Sequence, residues 1–137
     1  MLILNTGGTF NKRYNPINGN LEVPYDNYAV ETVLQALHVS DTPLAGAVYK
    51  DSLEMNAEDR KMIANIILHS QEKVFIVIHG TDTMHLSAAL LDGLLEDQAV
   101  IFTGSMVPFS IDPVEARTPR ALREKDARPP KDKIREM

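Results

Sequence analysis

The segment Val74-Phe75-Ile76-Val77-Ile78, followed directly by His79-Gly80-Thr81-Asp82-Thr83, is the most informative part of the sequence about the fold. Five consecutive apolar residues without polar alternation predict a strand buried on both faces, as at the centre of a parallel sheet. The polar residues that follow predict a turn at the carboxyl end of that strand. Open parallel sheets bind their ligands at this end of the strands.

Three further short apolar segments predict neighbouring strands at residues 2–5, 44–49 and 99–102. Helical spacing between them predicts three helices. Their apolar stripes are Val30, Val33, Leu34 and Leu37; then Met62, Ile63, Ile66 and Ile67 after an Asn56 cap; then Leu86, Leu90, Leu91 and Leu94 within residues 84–96. Residues 11–27 predict a loop with a hairpin around Asn18-Gly19. This alternation predicts an α/β fold with a doubly wound parallel sheet.

Composition bounds the chemistry of these 137 residues. The length suits one domain, and the absence of cysteine excludes disulfides, thiolate zinc sites and a catalytic thiol. The N-terminal residues lack the features of a signal peptide, so we expect a cytoplasmic protein. No apolar run reaches the roughly 18 residues of a membrane span, so we expect no membrane partner.

Charge divides the chain near residue 117. Residues 117–137 hold eight of the fourteen Lys/Arg residues and four of the nineteen Asp/Glu residues, so a basic segment of +4 follows an acidic body of −9. We therefore predict an α/β domain over residues 1–116. A basic, Pro/Arg-rich and poorly ordered tail follows over 117–137, with at most a short helix near 120–126. The acidic body and the lack of aromatic residues in the tail argue against a nucleic-acid partner.

Hydroxyl groups follow every predicted strand. The four strand ends read Thr6-Gly7-Gly8-Thr9, Asp51-Ser52, His79-Gly80-Thr81-Asp82-Thr83 and Thr103-Gly104-Ser105. Without cysteine, Thr and Ser hydroxyls are the candidate nucleophiles, and they need activation by a neighbouring group. We expect these side chains to converge on one crevice.

Several of these residues have other readings. His79 is either a base or, more commonly at a strand end, a packed and hydrogen-bonded residue. Asp82 is either a site carboxylate or the N-cap of the next helix. The Gly7-Gly8 turn could cradle a phosphate, but the chain lacks the Gly-Lys-Ser/Thr of a P-loop. The four histidines have no metal-ligand spacing, so we predict neither metal nor cofactor.

Taken together and in this order, four motifs resemble the bacterial-type L-asparaginase/glutaminase family over residues 1–116. They are Thr6-Gly7-Gly8-Thr9, Asp51-Ser52-Leu53-Glu54-Met55, His79-Gly80-Thr81-Asp82-Thr83-Met84 and Thr103-Gly104-Ser105-Met106-Val107-Pro108. The resemblance implies that family's N-terminal domain, a flavodoxin-like three-layer α/β/α fold. It also implies a homo-oligomer, either a dimer or a tetramer.

The resemblance further implies hydrolysis of the side-chain amide of a small amino acid, Asn or similar, through an acyl-enzyme. Thr9 matches the nucleophile, Tyr14 the loop tyrosine that orients it, and Thr81 the second catalytic threonine. Asp82 matches the carboxylate that receives the substrate's α-ammonium, and Ser52 the residue that holds its α-carboxylate. Backbone N–H groups at Gly8 and Thr81 are the expected oxyanion donors.

The sequence also departs from that family. No lysine stands in the context of the family's catalytic lysine, the smaller C-terminal domain has no counterpart in these residues, and Leu53 replaces a residue that is usually polar. The resemblance therefore leaves a second hypothesis open, a catalytically impaired small-molecule binding module. A third is a nucleotide-binding doubly wound domain.

Overall fold

The computed structural model describes residues 1–110 and 134–136. Its strands are β1 (Leu2–Gly7), β2 (Arg13–Asn15), β3 (Asn20–Glu22), β4 (Leu44–Lys50), β5 (Val74–Ile78), β6 (Ala99–Thr103) and β7 (Ile134–Glu136). Its α-helices are α1 (Tyr28–Ala36), α2 (Ala57–His69) and α3 (Met84–Asp92). Two short 3₁₀ helices follow strands: the Thr9 turn (Thr9–Asn11) and the Ser52 turn (Ser52–Glu54).

Five strands form one parallel sheet in the order β4-β1-β5-β6-β7. Numbered along the chain, this order is 2-1-3-4-5, which is the flavodoxin-like arrangement of a doubly wound sheet. The prediction of an α/β fold with a doubly wound parallel sheet is therefore confirmed. The strand order reverses between β1 and β5, and the carboxyl ends of these two strands border the crevice where such sheets bind ligands.

The sheet has a separate apolar core on each face because successive strand side chains point to opposite sides. On one face, α1 covers Ile3, Ile76, Ile78 and Ile101 through Val30, Val33 and Leu34. On the other face, α2 and α3 cover Leu4, Phe75, Val77, Val100 and Phe102. Burial on both faces explains why β5 and β6 read as continuous apolar runs.

Helix α2 begins as the sequence predicts. Asn56 accepts from the Asp59 N–H at 2.9 Å, and the Asp59 carboxylate accepts from the Asn56 N–H at 3.0 Å, which completes a capping box. Ile63 and Ile67 are buried, but Met62 is 51% exposed, so its place in the predicted apolar stripe is wrong.

Helix α3 buries a different stripe from the predicted one. Leu86 is 46% exposed, whereas Met84, Ala88 and Leu91 face the core. These three residues follow the spacing i, i+4, i+7. The error arose because α3 has leucines around much of its circumference, and periodicity alone could not say which side meets the sheet. The helix ends at Asp92, before the predicted end at residue 96, so Leu94 lies beyond it and is 45% exposed.

The predicted hairpin is confirmed. Strands β2 and β3 pair antiparallel, with Asn15 opposite Asn20 and residues 16–19 forming the loop. Gly19 has φ 74°, which its missing side chain permits.

The C-terminal segment contributes a strand that the sequence does not predict. β7 pairs parallel with β6, with Ile101 opposite Arg135. The other residues of the predicted tail, including its predicted short helix, lie outside the described residues. For those residues, the prediction of a poorly ordered tail remains a proposal. Within residues 1–110 and 134–136, no helix has the length and apolar character needed to cross a membrane.

Strand β4 carries a bulge where it approaches the end of β1. Asn5 pairs with Gly46 but Gly7 pairs with Lys50, so β4 has two extra residues over this interval. Val48 and Tyr49 accommodate the two extra residues by adopting left-handed backbone conformations, with φ 71° and 52°. The bulge sets Lys50 directly against Gly7.

Candidate active site

Glycine contacts bring the carboxyl ends of the sheet strands together. A Cβ on Gly8 would lie 2.5 Å from the Gly80 backbone nitrogen, and one on Gly80 would lie 2.6 Å from the Ser52 Oγ. A Cβ on Gly104 would lie 2.3 Å from the His79 carbonyl oxygen. Since no side chain fits in these gaps, the loops after β1, β4, β5 and β6 are in direct backbone contact. The four strand-end loops therefore meet at one edge of the sheet, but three of their hydroxyl side chains are buried: Thr6, Ser52 and Thr103.

The Thr9 turn is anchored on both sides of Thr9. Gly8 precedes it with φ 84° and ψ 178° and packs on Gly80. Phe10 follows it, is 1% exposed, and lies 5.9 Å from the ring of Phe109, centroid to centroid. Thr9 itself is partly exposed. Its hydroxyl therefore sits on a short, fixed turn at the β1 side of the switch point.

Thr81 and Asp82 lie on the facing loop, and both are exposed. The Thr81 Oγ1 donates to the Met106 Sδ at 3.3 Å. A thioether is a weak acceptor, so a ligand can readily take over this hydroxyl. The N-cap of α3 is Thr83. The alternative reading of Asp82 as that cap is therefore wrong, and its carboxylate is left for another partner.

Ser52 is 1% exposed and joins the Ser52 turn to the start of α3. Its Oγ accepts from the Thr83 N–H at 3.3 Å, and its carbonyl accepts from the Thr83 Oγ1 at 2.9 Å. These two bonds hold the loop after β4 against the start of α3.

Two predicted site residues have environments that the sequence did not suggest. Tyr14 is 63% exposed on β2, and no hydrogen bond joins it to Thr9 in the part of the chain that the structure describes. The Gly8 N–H donates to the Lys50 carbonyl at 3.0 Å, so the prediction that it serves as an oxyanion donor is wrong in this geometry. Over residues 1–110, the Thr81 N–H has no backbone acceptor and stays a candidate.

His79 is a packed residue here, as the second of its two readings predicts. Its Nδ1–H donates to the Gly80 carbonyl at 2.7 Å, and its Nε2 lies 2.8 Å from the Ser87 Oγ. Burial lowers the pKa of His79 from its ordinary value of 6.5; the bond to the Gly80 carbonyl opposes this shift, and the charge of Arg60 adds to it.

This lowered pKa predicts a loss of stability in mild acid. Below about pH 6.5 the imidazole is protonated in the unfolded chain, whereas the folded protein resists its protonation. The free energy of unfolding therefore decreases as the pH is lowered. The total loss is about 1.4 kcal/mol for each unit by which the folded and unfolded pKa values differ. Chemical denaturation between pH 8 and pH 5 measures the slope. His79→Gln should flatten it, and equal slopes in wild type and His79→Gln would refute the assignment.

An ion pair missed at the sequence level links two of the turns. The Lys12 Nζ lies 2.5 Å from the Asp51 Oδ2, and both side chains are about three-quarters buried, at 22% and 23% exposed. Burial raises the pKa of Asp51, but hydrogen bonds from Lys12 and the Leu53 N–H outweigh that effect and lower it overall. The pair connects the Thr9 turn to the cap of the Ser52 turn. No local sequence signal relates residues so far apart in the chain.

A cleft of about 520 Å³ opens beside this ion pair. The residues that line it include Lys12, Tyr25, Lys50, Asp51 and Glu54. Among residues 1–110 and 134–136, no group of three His, Asp or Glu side chains is placed to hold a metal ion.

Comparison with known proteins identifies the family of this chain. Residues 1–117 match the asparaginase family, in its N-terminal domain. L-asparaginase 1 of Escherichia coli strain K12 is 39% identical over 64 residues, which are 44% of this chain and 19% of that protein. The 60 kDa lysophospholipases of Mus musculus and Homo sapiens are each 40% identical over 63 residues, or 43% of this chain and 11% of theirs. The matches thus span less than a fifth of these relatives.

Solved structures agree on the fold. The thermostable L-asparaginase from Thermococcus kodakarensis superposes with a TM-score of 0.70 at 23% identity, over 89% of this chain and 38% of that one. L-asparaginase I from Vibrio cholerae gives 0.60 at 26% identity, over 80% and 34%. A probable cytoplasmic L-asparaginase from Campylobacter jejuni gives 0.56 at 27% identity, over 78% and 32%. This chain belongs to the asparaginase family of hydrolases, through the N-terminal domain of that family.

Proposed function

We propose that the strand-end loops form the site of an asparaginase-like amidohydrolase in which Thr9 is the nucleophile. The observation that carries the proposal is the contact between Gly8 and Gly80, where a Cβ would lie 2.5 Å from backbone. This contact sets the turn bearing Thr9 against the loop bearing Thr81 and Asp82, across the switch point of the sheet. The proposed substrate is L-asparagine or a similar small amino-acid amide.

The proposed chemistry has two steps. The Thr9 Oγ attacks the side-chain amide carbon, the C–N bond breaks, and ammonia leaves with the proton that Thr9 gives up. Water then attacks the resulting ester, which restores the Thr9 hydroxyl and releases the amino acid with a side-chain carboxylate. The Thr81 hydroxyl, which donates to the Met106 sulfur, is the proposed relay for the proton. The Thr81 N–H is the proposed oxyanion donor.

Two further residues are proposed to recognise the backbone groups of the substrate. The exposed Asp82 carboxylate would receive the α-ammonium, and an ion pair completed only on binding favours the correct ligand. The Ser52 hydroxyl would donate to the α-carboxylate while its oxygen keeps the bond from the Thr83 N–H. Tyr14 is proposed to orient the Thr9 hydroxyl, which would require Tyr14 to move together with the hairpin.

The first test measures ammonia release from L-asparagine and L-glutamine together with thermal unfolding in L-aspartate, L-glutamate and inorganic phosphate. We expect ammonia release and stabilisation by the acidic amino acids, since a ligand at 100 times its Kd adds about 2.7 kcal/mol to the free energy of unfolding. Stabilisation without turnover would favour the impaired binding module instead. Stabilisation by phosphate alone would favour the nucleotide-binding alternative, and no response to any of them would overturn the proposal.

The resemblance also leads us to propose a cytoplasmic homo-oligomer, a dimer or a tetramer. Three exposed apolar side chains support self-association, since water contact with them is unfavourable: Met62 on α2, Leu86 on α3 and Leu94 just after α3. Sedimentation velocity over a range of concentrations should show a species larger than the 15.3 kDa monomer. A single monomeric species at all concentrations would exclude it.

A further inference from the structure

Three asparagine amides form a network beneath the Thr9 turn. Asn5 and Asn11 exchange two hydrogen bonds: the Asn5 Nδ2 donates to the Asn11 Oδ1 at 3.0 Å, and the Asn11 Nδ2 donates to the Asn5 Oδ1 at 2.9 Å. The Asn5 Nδ2 also donates to the Asn27 Oδ1 at 3.0 Å. Asn5 is 0% exposed and Asn11 is 2% exposed. The network is therefore sealed from solvent at its centre.

The network holds the backbone that leads into Thr9. The Asn11 Nδ2 donates to the Gly7 carbonyl at 2.7 Å, and the Gly7 N–H donates to the Asn5 Oδ1 at 3.2 Å. The Asn11 N–H closes the turn by donating to the Gly8 carbonyl at 3.1 Å. Both polar groups of Gly7 are thus engaged by asparagine side chains, and the Thr9 turn is tied down from within.

Each buried amide has one permitted orientation. The two Nδ2 hydrogens of Asn5, and the two of Asn11, all have acceptors, and rotating either amide by 180° would set oxygen against oxygen. Asn27 stands at the N-cap of α1 but makes no side-chain cap bond. Its oxygen accepts from Asn5 instead. A satisfied buried network of this kind rigidifies what it touches.

We propose that Asn5, Asn11 and Asn27 are positioning residues that fix the Thr9 hydroxyl for attack. This inference rests on the proposed role of Thr9. None of the three amides needs to touch the substrate, since their action runs through Gly7 and the Thr9 turn. Misplacement of a reacting group by about 1 Å can cost 100-fold in rate.

The network predicts an asymmetry between two chemically identical substitutions. Asn27 takes part only as an acceptor, so Asn27→Asp keeps an oxygen for the Asn5 Nδ2 and should act like wild type. Asn11 is a double donor, so Asn11→Asp loses both donated bonds and sets a carboxylate oxygen against the Gly7 carbonyl. Asn27→Ala removes one acceptor at the rim of the network and should give a mild, folded variant.

The experiment compares steady-state kinetics on L-asparagine with circular dichroism, which reports the folded fraction. We expect Asn11→Asp to lower kcat about 100-fold and Asn27→Ala about 10-fold per folded molecule, with KM within a few fold of wild type. Asn27→Asp should keep wild-type kcat and so rescue the alanine variant. Unchanged kcat per folded molecule in Asn27→Ala, or an equal loss in Asn27→Asp, would overturn the inference. Should Asn11→Asp fail to fold, the two Asn27 variants decide it.

Hydrogen–deuterium exchange of a peptide covering residues 7–12 separates this inference from the proposed function. We expect Asn27→Ala to accelerate exchange in this peptide while Asn27→Asp leaves it at the wild-type rate. If wild type releases no ammonia, the proposed function fails, and the exchange result alone then judges whether the network holds the turn. Equal exchange in wild type and Asn27→Ala would show that it does not.

Discussion

Thr9→Ala should abolish ammonia release from L-asparagine while leaving the binding of L-aspartate largely intact. The variant lacks the oxygen that forms the acyl-enzyme, so turnover should fall on the order of 10⁴-fold or more. Binding should survive because Ser52 and Asp82, not Thr9, are proposed to hold the amino-acid end of the ligand. Ammonia release and the aspartate-dependent thermal shift, measured on the same sample, check both halves of this prediction.

Thr32→Ala is the matched control for this experiment. Thr32 lies on α1, where its Oγ1 donates to the Tyr28 carbonyl at 2.8 Å, and within residues 1–110 this hydroxyl makes no hydrogen bond to a strand-end loop. It should lose a little stability and no activity. A Thr9→Ala protein with wild-type turnover would remove Thr9 as the nucleophile. Loss of both turnover and aspartate binding in a folded Thr9→Ala protein would contradict the division of roles.

Gly8→Ala should destabilise the fold by about 2–6 kcal/mol and remove activity. Two effects add: φ 84° with ψ 178° is a conformation that only glycine adopts readily, costing about 1–3 kcal/mol. The new Cβ would also meet the Gly80 nitrogen at 2.5 Å, and overpacking of this kind costs about 1–3 kcal/mol. Relief of the clash must push the Thr9 turn away from the Thr81 loop. Equilibrium denaturation and ammonia release measure the two consequences.

Two other glycines separate strain from steric clash. Gly93 has open space around its Cβ position and no positive φ, so Gly93→Ala should be close to neutral. Gly19 has φ 74° but its nearest neighbour, the Tyr14 hydroxyl, is 4.0 Å away, so Gly19→Ala should show the cost of strain alone, about 1 kcal/mol. If Gly8→Ala is no worse than Gly19→Ala, the close contact between the two loops is not present in solution.

The fold was largely predictable because its strands are buried on both faces. Apolar runs such as Val74–Ile78 have few alternatives, and the glycines and capping residues after them mark where strands end. β7 was not predictable, because its three residues lie in a charged segment and pair through backbone groups that carry no sequence signal. Leu86 was misassigned because nothing local distinguishes the sides of a short, leucine-rich helix. Leu94 was misassigned because the helix ends earlier than predicted, at Asp92.

The location of the candidate residues at one edge of the sheet was predictable, but the contacts that support their loops were not. Thr9, Ser52, Thr81 and Asp82 follow predicted strands, and the topology of parallel sheets requires strand ends to share an edge. The Lys12–Asp51 pair and the asparagine network depend on contacts between distant segments. Asparagine side chains usually face solvent, so the burial of Asn5 and Asn11 becomes evident only from tertiary structure.

Thr9 is the proposed nucleophile of one site built from the strand-end loops, and this assignment can be tested on the protein itself. Its most direct test is labelling with an asparagine analogue that carries an electrophilic diazoketone in place of the amide, followed by peptide mapping by mass spectrometry. We predict one adduct, on the Thr9 hydroxyl, that excess L-aspartate suppresses and Thr9→Ala eliminates. An adduct on another residue, or labelling of Thr9 that L-aspartate does not affect, would contradict the claim.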